Sequence, residues 1–336
     1  MSGRHYVVYG AGAIGGIVAG KLHATGHNVS VVARGAHFEA IRDRGLTLQA
    51  PDGTHTVHRI PAAERIGAVA LEPGDVVLLG MKSQDTEQAL RELAAAAPEE
   101  IAVVCVQNGV ENERLALRRF PNVYSVVVQC PGVHLEPGLV EMGATPIYGI
   151  LDIGRYPSGL DDRAVEIAGA LRAAGFLSEA REEILPWKYA KLMNNLLNGL
   201  MALSGPEAAR SEVGDAIRAE GEAVVAAAGI PMVPREEWTA RSGLLPRVPE
   251  VRAGNSSWQS LVRRTGSIEA DFFNGEIALL ARESGTEAPV NALVQRMARD
   301  LAAAGGAPGS VPLDVVRERL AQRGIPSVAS QERGGS

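Results

Sequence analysis

Tyr6-Val7-Val8-Tyr9-Gly10-Ala11-Gly12-Ala13-Ile14-Gly15-Gly16 reads as a strand, a tight loop and a helix start. Tyr6 to Tyr9 is a short β-prone apolar run, and Ala13 to Ala24 carries helix formers until Gly26 supplies a stop. In such a turn Gly10 permits the sharp bend and Gly12 lets a pyrophosphate approach the backbone. Gly15 lets the helix lie close to the strand. The positive end and free N–H groups of the helix then face the phosphates, with Gly10, Ala11, Gly12, Ala13, Ile14 and Gly15 as the cradle. A lone glycine pattern is weak, but here a second strand, Asn28 to Ala33, follows at the distance the motif requires.

The residue that ends this second strand is Arg34. An NAD-binding site places Asp or Glu there, on the ribose 2′-hydroxyl; a guanidinium instead pairs with a 2′-phosphate. NADP(H) is therefore the expected cofactor.

Working outward, 336 residues suit two domains, each with its own core. The net charge of −6 gives no basic footprint for nucleic acid, so phosphate recognition has to be local. Cys105 and Cys130 lie in Val-rich runs, as buried reduced thiols of a cytoplasmic protein do. Neither has neighbours at metal-ligand spacing. The amino terminus enters a strand at once, and the most apolar helical stretch, Leu192 to Leu203, is interrupted by asparagines and too short for a bilayer. Neither secretion nor a membrane span is expected.

Leu46 to Gln49 and Thr54 to Arg59 read as a hairpin around Pro51-Asp52-Gly53. Buried-strand patterns at Asp75 to Gly80 and Ile101 to Val106 end at Lys82 and at Gln107-Asn108-Gly109. Ligands of an open α/β sheet bind at the carboxyl ends of its strands, which gives Lys82 and Asn108 functional weight. From Glu182 on, long helical patterns replace strands: Ile184 to Leu203, Pro206 to Ala228, Ser256 to Arg264, Ser267 to Ser284 and Pro289 to Ala304. The expected architecture is α/β, a doubly wound Rossmann-type sheet over 1–181 followed by an all-helical domain over 182–322, with a Gly- and Ser-rich tail over 323–336 expected to be disordered. The many apolar helical faces leave room for a homodimer.

Lysine occurs only at positions 21, 82, 188 and 191 in an arginine-rich chain. Lysine can release its proton when desolvated and arginine cannot, so retained lysines point toward chemistry. On one helix, Trp187, Lys191, Asn195 and Asn198 fall in a narrow stripe, with Lys188 and Asn194 at its flanks. Glu269 shares a helical face with Phe273 and Glu276, and Asn255-Ser256-Ser257 offers hydroxyls for a small carboxylate or a helix cap.

Taken together these residues resemble the ketopantoate reductases, from Tyr6 to about Ala304. The resemblance rests on Gly10 to Gly15, Lys82, Asn108-Gly109, the Trp-Lys-Asn helix, and above all Glu269-Ala270-Asp271-Phe272-Phe273-Asn274-Gly275 and Ala288-Pro289-Val290-Asn291. It implies NADPH-dependent reduction of a 2-oxo acid, 2-dehydropantoate or a close relative, in a cleft between the domains. A lysine protonates the carbonyl oxygen, Glu269 helps bind the hydroxyl end of the substrate, and Asn and Ser residues orient it. Carried across, the serine is Ser256, the asparagine of the first domain Asn108, and the lysine on the cofactor side Lys82, with Asn195 and Asn198 on the substrate. The family pattern is Trp-x-Lys with asparagines four and eight residues on. Here Trp187 precedes Lys188 directly and Lys191 by four; Lys191 keeps the step to Asn195, while the eighth position is Gly199. Lys191 is the preferred acid, with Lys188 beside the substrate or as its rival. A β-hydroxyacid or opine-type dehydrogenase and a non-catalytic NADPH sensor are the alternatives; the sensor leaves Lys191, Asn195 and Glu269 without a role.

Overall fold

The apolar run before the glycines is the central strand of a seven-stranded sheet. A computed structural model describes residues 4–246, 256–264 and 266–325. Its elements are β1 (His5–Tyr9), α1 (Ala13–Ala24), β2 (Asn28–Val32), α2 (Gly35–Arg44), β3 (Leu46–Gln49), β4 (His55–His58), β5 (Ala62–Ala63) and β6 (Val76–Leu79). Next come α3 (Ser83–Ala96), β7 (Ala102–Cys105), α4 (Asn112–Leu117), β8 (Val123–Gln129), β9 (Gly132–Val133), β10 (Leu139–Met142), β11 (Ile150–Arg155) and α5 (Asp162–Ala173). The chain continues through α6 (Leu185–Asn195), α7 (Leu197–Ser204), α8 (Glu212–Ala227), α9 (Arg235–Ser242), α10 (Ser256–Val262), α11 (Asn274–Ser284), α12 (Pro289–Ala303) and α13 (Leu313–Ala321).

The main sheet has the order β11-β8-β7-β6-β1-β2-β5. It is parallel except for β11, which runs antiparallel to β8. β1 pairs with β2 on one side and β6 on the other, with Tyr6 opposite both Val29 and Val76. The winding reverses between β1 and β6, so the switch point lies where the glycine turn leaves β1. β6 and β7 are buried at every residue, as strands covered on both faces are. The hairpin of β3 and β4 joins β10 and β9 in a second, four-stranded sheet. That sheet lies against α1: a Cβ on Gly16 would meet Val140 at 2.8 Å, and one on Gly20 would meet Leu48 at 2.6 Å.

The chain divides into two compact units, Met1–Lys188 with Val233–Val251, and Tyr189–Met232 with Arg252–Ser336. The break thus falls inside α6 rather than at 181/182, and α9 goes with the first unit. The physical reason is a charge cluster and an indole pair. Buried Asp152 on β11 accepts from Arg181 and, on both oxygens, from Arg241 of α9. Trp238 of α9 packs on Trp187, over whose ring the Arg181 guanidinium sits at 3.9 Å.

The second unit is helical, with α11 packed on α12 and α8, and α12 on α7. Three expected helices are divided. Ile184 to Leu203 is α6 and α7, separated at Leu196, whose own backbone stays helical; Pro206 to Ala228 is a 3-10 turn over Pro206–Arg210 followed by α8; and Ser267 to Ser284 is a 3-10 turn over Glu269–Phe272 followed by α11. Glu269 is therefore not on one helical face with Phe273 and Glu276. Of the expected tail, residues 326–336 lie outside the described residues. Cys105 and Cys130 are buried and unpaired with each other, and burial pushes the Cys130 thiol up to about 12. No helix of the described residues is long and apolar enough to cross a membrane.

Candidate functional site

The glycine turn has the shape that its residue types require. Gly10 sits at φ +99°, and a Cβ there would lie 2.6 Å from the Met81 backbone nitrogen. A Cβ on Gly15 would lie 2.1 Å from the Gly10 carbonyl oxygen, so only glycine lets α1 approach the turn. At Gly12 a Cβ would meet nothing within 4 Å. Gly12 is also the N-cap of α1, with no side-chain cap and no acid in the first turn. Open space at the uncompensated positive end of a helix fits a pyrophosphate.

One residue that the sequence did not single out holds this turn. His37, in the first turns of α2, meets the Ala11 carbonyl through Nε2 at 2.7 Å, and its Nδ1 accepts from Gly138 N–H at 2.9 Å. A carbonyl can only accept and a backbone N–H only donate, so the proton is on Nε2. Burial lowers the His37 pKa and keeps this neutral form. Gly138 is 101 residues away, which is why no local pattern announced the contact.

Arg34 is the N-cap of α2 and its side chain is 56% exposed, beside the carboxyl end of β2. Its Nη2 lies 3.6 Å from Glu92 Oε2 on α3, and Glu92 also accepts from the Tyr9 hydroxyl and Gln88. An exposed ion pair contributes about 0–1 kcal/mol, whereas a hydrogen bond to a charged group contributes about 1.5–3 kcal/mol. Glu92 therefore holds the exposed guanidinium only weakly.

Two strand ends beside the turn carry Lys82, half-buried at the N-cap of α3, and Asn108, just past β7. Buried amides tie these loops together. Gln107 donates to the Met81 carbonyl and to Thr86, Thr86 donates to Asn112, and Asn112 donates to Ser83 and to the Asn108 carbonyl. The Asn108 side-chain oxygen is buried and has no hydrogen-bond partner among the described residues. An orphaned acceptor at a ligand-binding sheet edge suits the hydroxyl or amide of a bound nucleotide or substrate.

The two lysines of α6 have opposite environments. Lys188 is buried in the first unit. Its ammonium meets Glu113 Oε1 at 2.9 Å, the Gln107 carbonyl at 2.8 Å and the Val126 carbonyl at 3.2 Å. An ammonium has three donors, and all are committed. In this arrangement no Lys188 donor is directed to a substrate, which bears on its expected place beside the substrate or as the rival acid without deciding it. The missed signal was Glu113, an acid inside an otherwise short helix, with Ser125 Oγ donating to it at 2.8 Å.

Lys191 belongs to the second unit and is half-buried. Burial pushes its ammonium down to about 8. Asn195 on α6 is buried, Asn198 on α7 half-buried, and Ser256 opens α10. Glu269 is buried in its 3-10 turn. Thus Lys191, Asn195, Asn198, Ser256 and Glu269 all belong to the helical unit. Gly10 to Gly15, Arg34, Lys82 and Asn108 belong to the first. Among the described residues, no group of His, Cys, Asp and Glu could hold a metal ion.

The family model for the ketopantoate reductase PanE/ApbA matches residues 6–158, and that for its C-terminal part matches residues 183–302. A 2-dehydropantoate 2-reductase of Pyrococcus horikoshii is 28% identical over 311 residues, 89% of this chain and 98% of the relative. Among solved structures, a PanE/ApbA family ketopantoate reductase from Ralstonia eutropha JMP134 aligns with a TM-score of 0.74 at 26% identity, over 90% of this chain and 99% of that one. A D-mandelate dehydrogenase with NADH and anilino(oxo)acetate aligns with a TM-score of 0.77 at 20% identity, also over 90% and 99%, which is a likeness of fold.

Proposed function

The chain belongs to the ketopantoate reductase family, and from that premise we propose that it reduces a 2-oxo acid, 2-dehydropantoate or a close relative, to the 2-hydroxy acid with NADPH. The observation that carries the proposal is the contrast between the lysines: Lys188 has no donor left, while burial brings Lys191 to about 8. An ammonium that titrates near the working pH can both hold a proton and give it up.

Bound NADPH would supply the hydride. Arg34 would take its 2′-phosphate, the backbone from Gly10 to Gly15 with the amino end of α1 its pyrophosphate, and Lys82 and Asn108 the nicotinamide side. Lys191 Nζ gives its proton to the developing alkoxide, a contribution of roughly 10²–10⁴ in rate. Glu269 accepts from the substrate hydroxyl, and Asn195, Asn198 and Ser256 orient the acid. The test is oxidation of NADPH and of NADH with a panel of 2-oxo acids. The proposal expects turnover with 2-dehydropantoate or a branched neighbour and preference for NADPH; binding of NADPH with no turnover on any 2-oxo acid would make the chain a sensor.

A further inference from the structure

The two sequence stretches that most particularly mark the family, Glu269 to Gly275 and Ala288 to Asn291, contribute only Glu269 to the chemistry above. Asn274 and Asn291 are both fully buried, and they meet. Asn274 Nδ2 donates to Asn291 Oδ1 at 2.9 Å and to the Leu196 carbonyl at 2.9 Å. Asn291 Nδ2 donates to the Ile217 carbonyl at 3.1 Å and to Glu220 Oε1 at 2.9 Å. Glu220 also accepts from the Val290 and Asn291 backbone N–H groups, at the amino end of α12.

The amide orientations are fixed by this chain of bonds. A carbonyl and a carboxylate both demand the NH₂ of Asn291, which leaves its oxygen toward Asn274 and so demands the NH₂ of Asn274 there. The Leu196 carbonyl that receives the other hydrogen is the joint between α6, with Lys191 and Asn195, and α7, with Asn198. Leu196 keeps helical backbone angles, φ −56° and ψ −31°, so the Asn274 amide bonds a carbonyl at a joint through which the helix direction continues. Asn274 itself opens α11, one residue beyond the turn that bears Glu269, with Phe273 between them. One amide therefore joins the segment carrying Glu269 to the helix end carrying Lys191. Packing at the joint is tight: a Cβ on Gly199 would meet Asn274 Oδ1 at 2.9 Å and Val294 Cγ1 at 3.0 Å.

We propose that Asn274, locked by Asn291 and Glu220, is a positioning residue that holds the joint between α6 and α7 and so registers Lys191 and Asn195 against Glu269. The inference rests on the proposed reading of Lys191 and Glu269. The two can fail separately, because the joint can be followed without catalysis.

Asn274→Ala removes both donors. A misplacement of about 1 Å costs on the order of 10²-fold in rate, so kcat should fall by that order while NADPH affinity, which belongs to the first unit, is unchanged. Amide hydrogen exchange across residues 192–202 should accelerate. Leu293→Ala in α12 is the control, a destabilising change that leaves the Leu196 bond in place; at an equal or larger loss of Tm it should keep kcat and keep exchange at 192–202 slow. Gly199→Ala, which pushes the Asn274 amide aside without removing it, should repeat the Asn274→Ala result and serves if that variant does not fold. Wild-type kcat in Asn274→Ala, or the same fall in Leu293→Ala, would overturn the assignment. If the wild-type protein reduces no 2-oxo acid, the proposed function fails, and exchange decides alone: acceleration confined to the asparagine and glycine variants supports the positioning role, and unchanged exchange overturns it.

Discussion

Lys188→Met tests whether the lysine next to Trp187 is structural. The substitution keeps an unbranched chain and removes the ammonium from a site where Lys188 and Glu113 have side-chain exposures of 2% and 0%. Glu113 would keep only the Ser125 hydroxyl on its Oε1, and the Gln107 and Val126 carbonyls would each lose a donor. Breaking a buried pair from one side costs about 3–5 kcal/mol. The first unit has roughly 200 residues, a size at which 1 kcal/mol moves Tm by about 2–4 °C, so the fall should be roughly 6–20 °C. Adding Glu113→Gln removes the stranded charge and should recover about 1–3 kcal/mol as a coupling term. Thermal and urea melts of wild type, both single variants and the double variant make the cycle, with single-turnover hydride transfer measured on the folded proteins. A Lys188→Met protein that melts with the wild type and shows no coupling to Glu113 refutes the burial reasoning. One that melts normally yet transfers no hydride makes Lys188 the acid.

Arg34→Ala should weaken NADPH binding, by about 1.5–3 kcal/mol, and leave NADH nearly untouched; equal losses for both cofactors would remove Arg34 from the 2′-phosphate. Glu92→Gln removes the negative charge 3.6 Å from that guanidinium, so it should tighten NADPH more than NADH in a titration at low salt. With Lys191 titrating at about 8, reduction needs its protonated form, so kcat/KM should be level below pH 8 and fall above it; a flat profile to pH 10 excludes it as the acid. Glu269→Gln keeps the shape and removes the charge, and should lower turnover with little change in Tm, whereas early melting with full activity would make Glu269 a structural residue.

Much of the first unit was legible because its signals are local. Alternation marked the β3–β4 hairpin, buried apolar runs marked β6 and β7, and the spacing from Gly10 to Gly15 marked a turn whose open position is Gly12. Arg34, Lys82 and Asn108 could be placed at strand ends because parallel strands announce where they stop. The unread parts depend on partners far apart in the chain. Helical periodicity runs straight through Leu196, and the carbonyl there receives Asn274, 78 residues on, which no local pattern could show. The same holds for α9, whose place with the first unit is set by Arg241 and Asp152, and for His37, which meets Gly138. Lys188 and Lys191 look alike in sequence, being three residues apart on one helix. Only the acid at Glu113 and two backbone carbonyls distinguish them.

Single-turnover hydride transfer from NADPH to 2-dehydropantoate, in wild type and in Lys191→Arg, tests the central claim most directly. The variant keeps the positive charge but cannot release a proton. Wild type should consume one NADPH per active site, and Lys191→Arg should bind NADPH with unchanged affinity while its transfer slows by roughly 10²–10⁴. Transfer at the wild-type rate in Lys191→Arg would contradict the account.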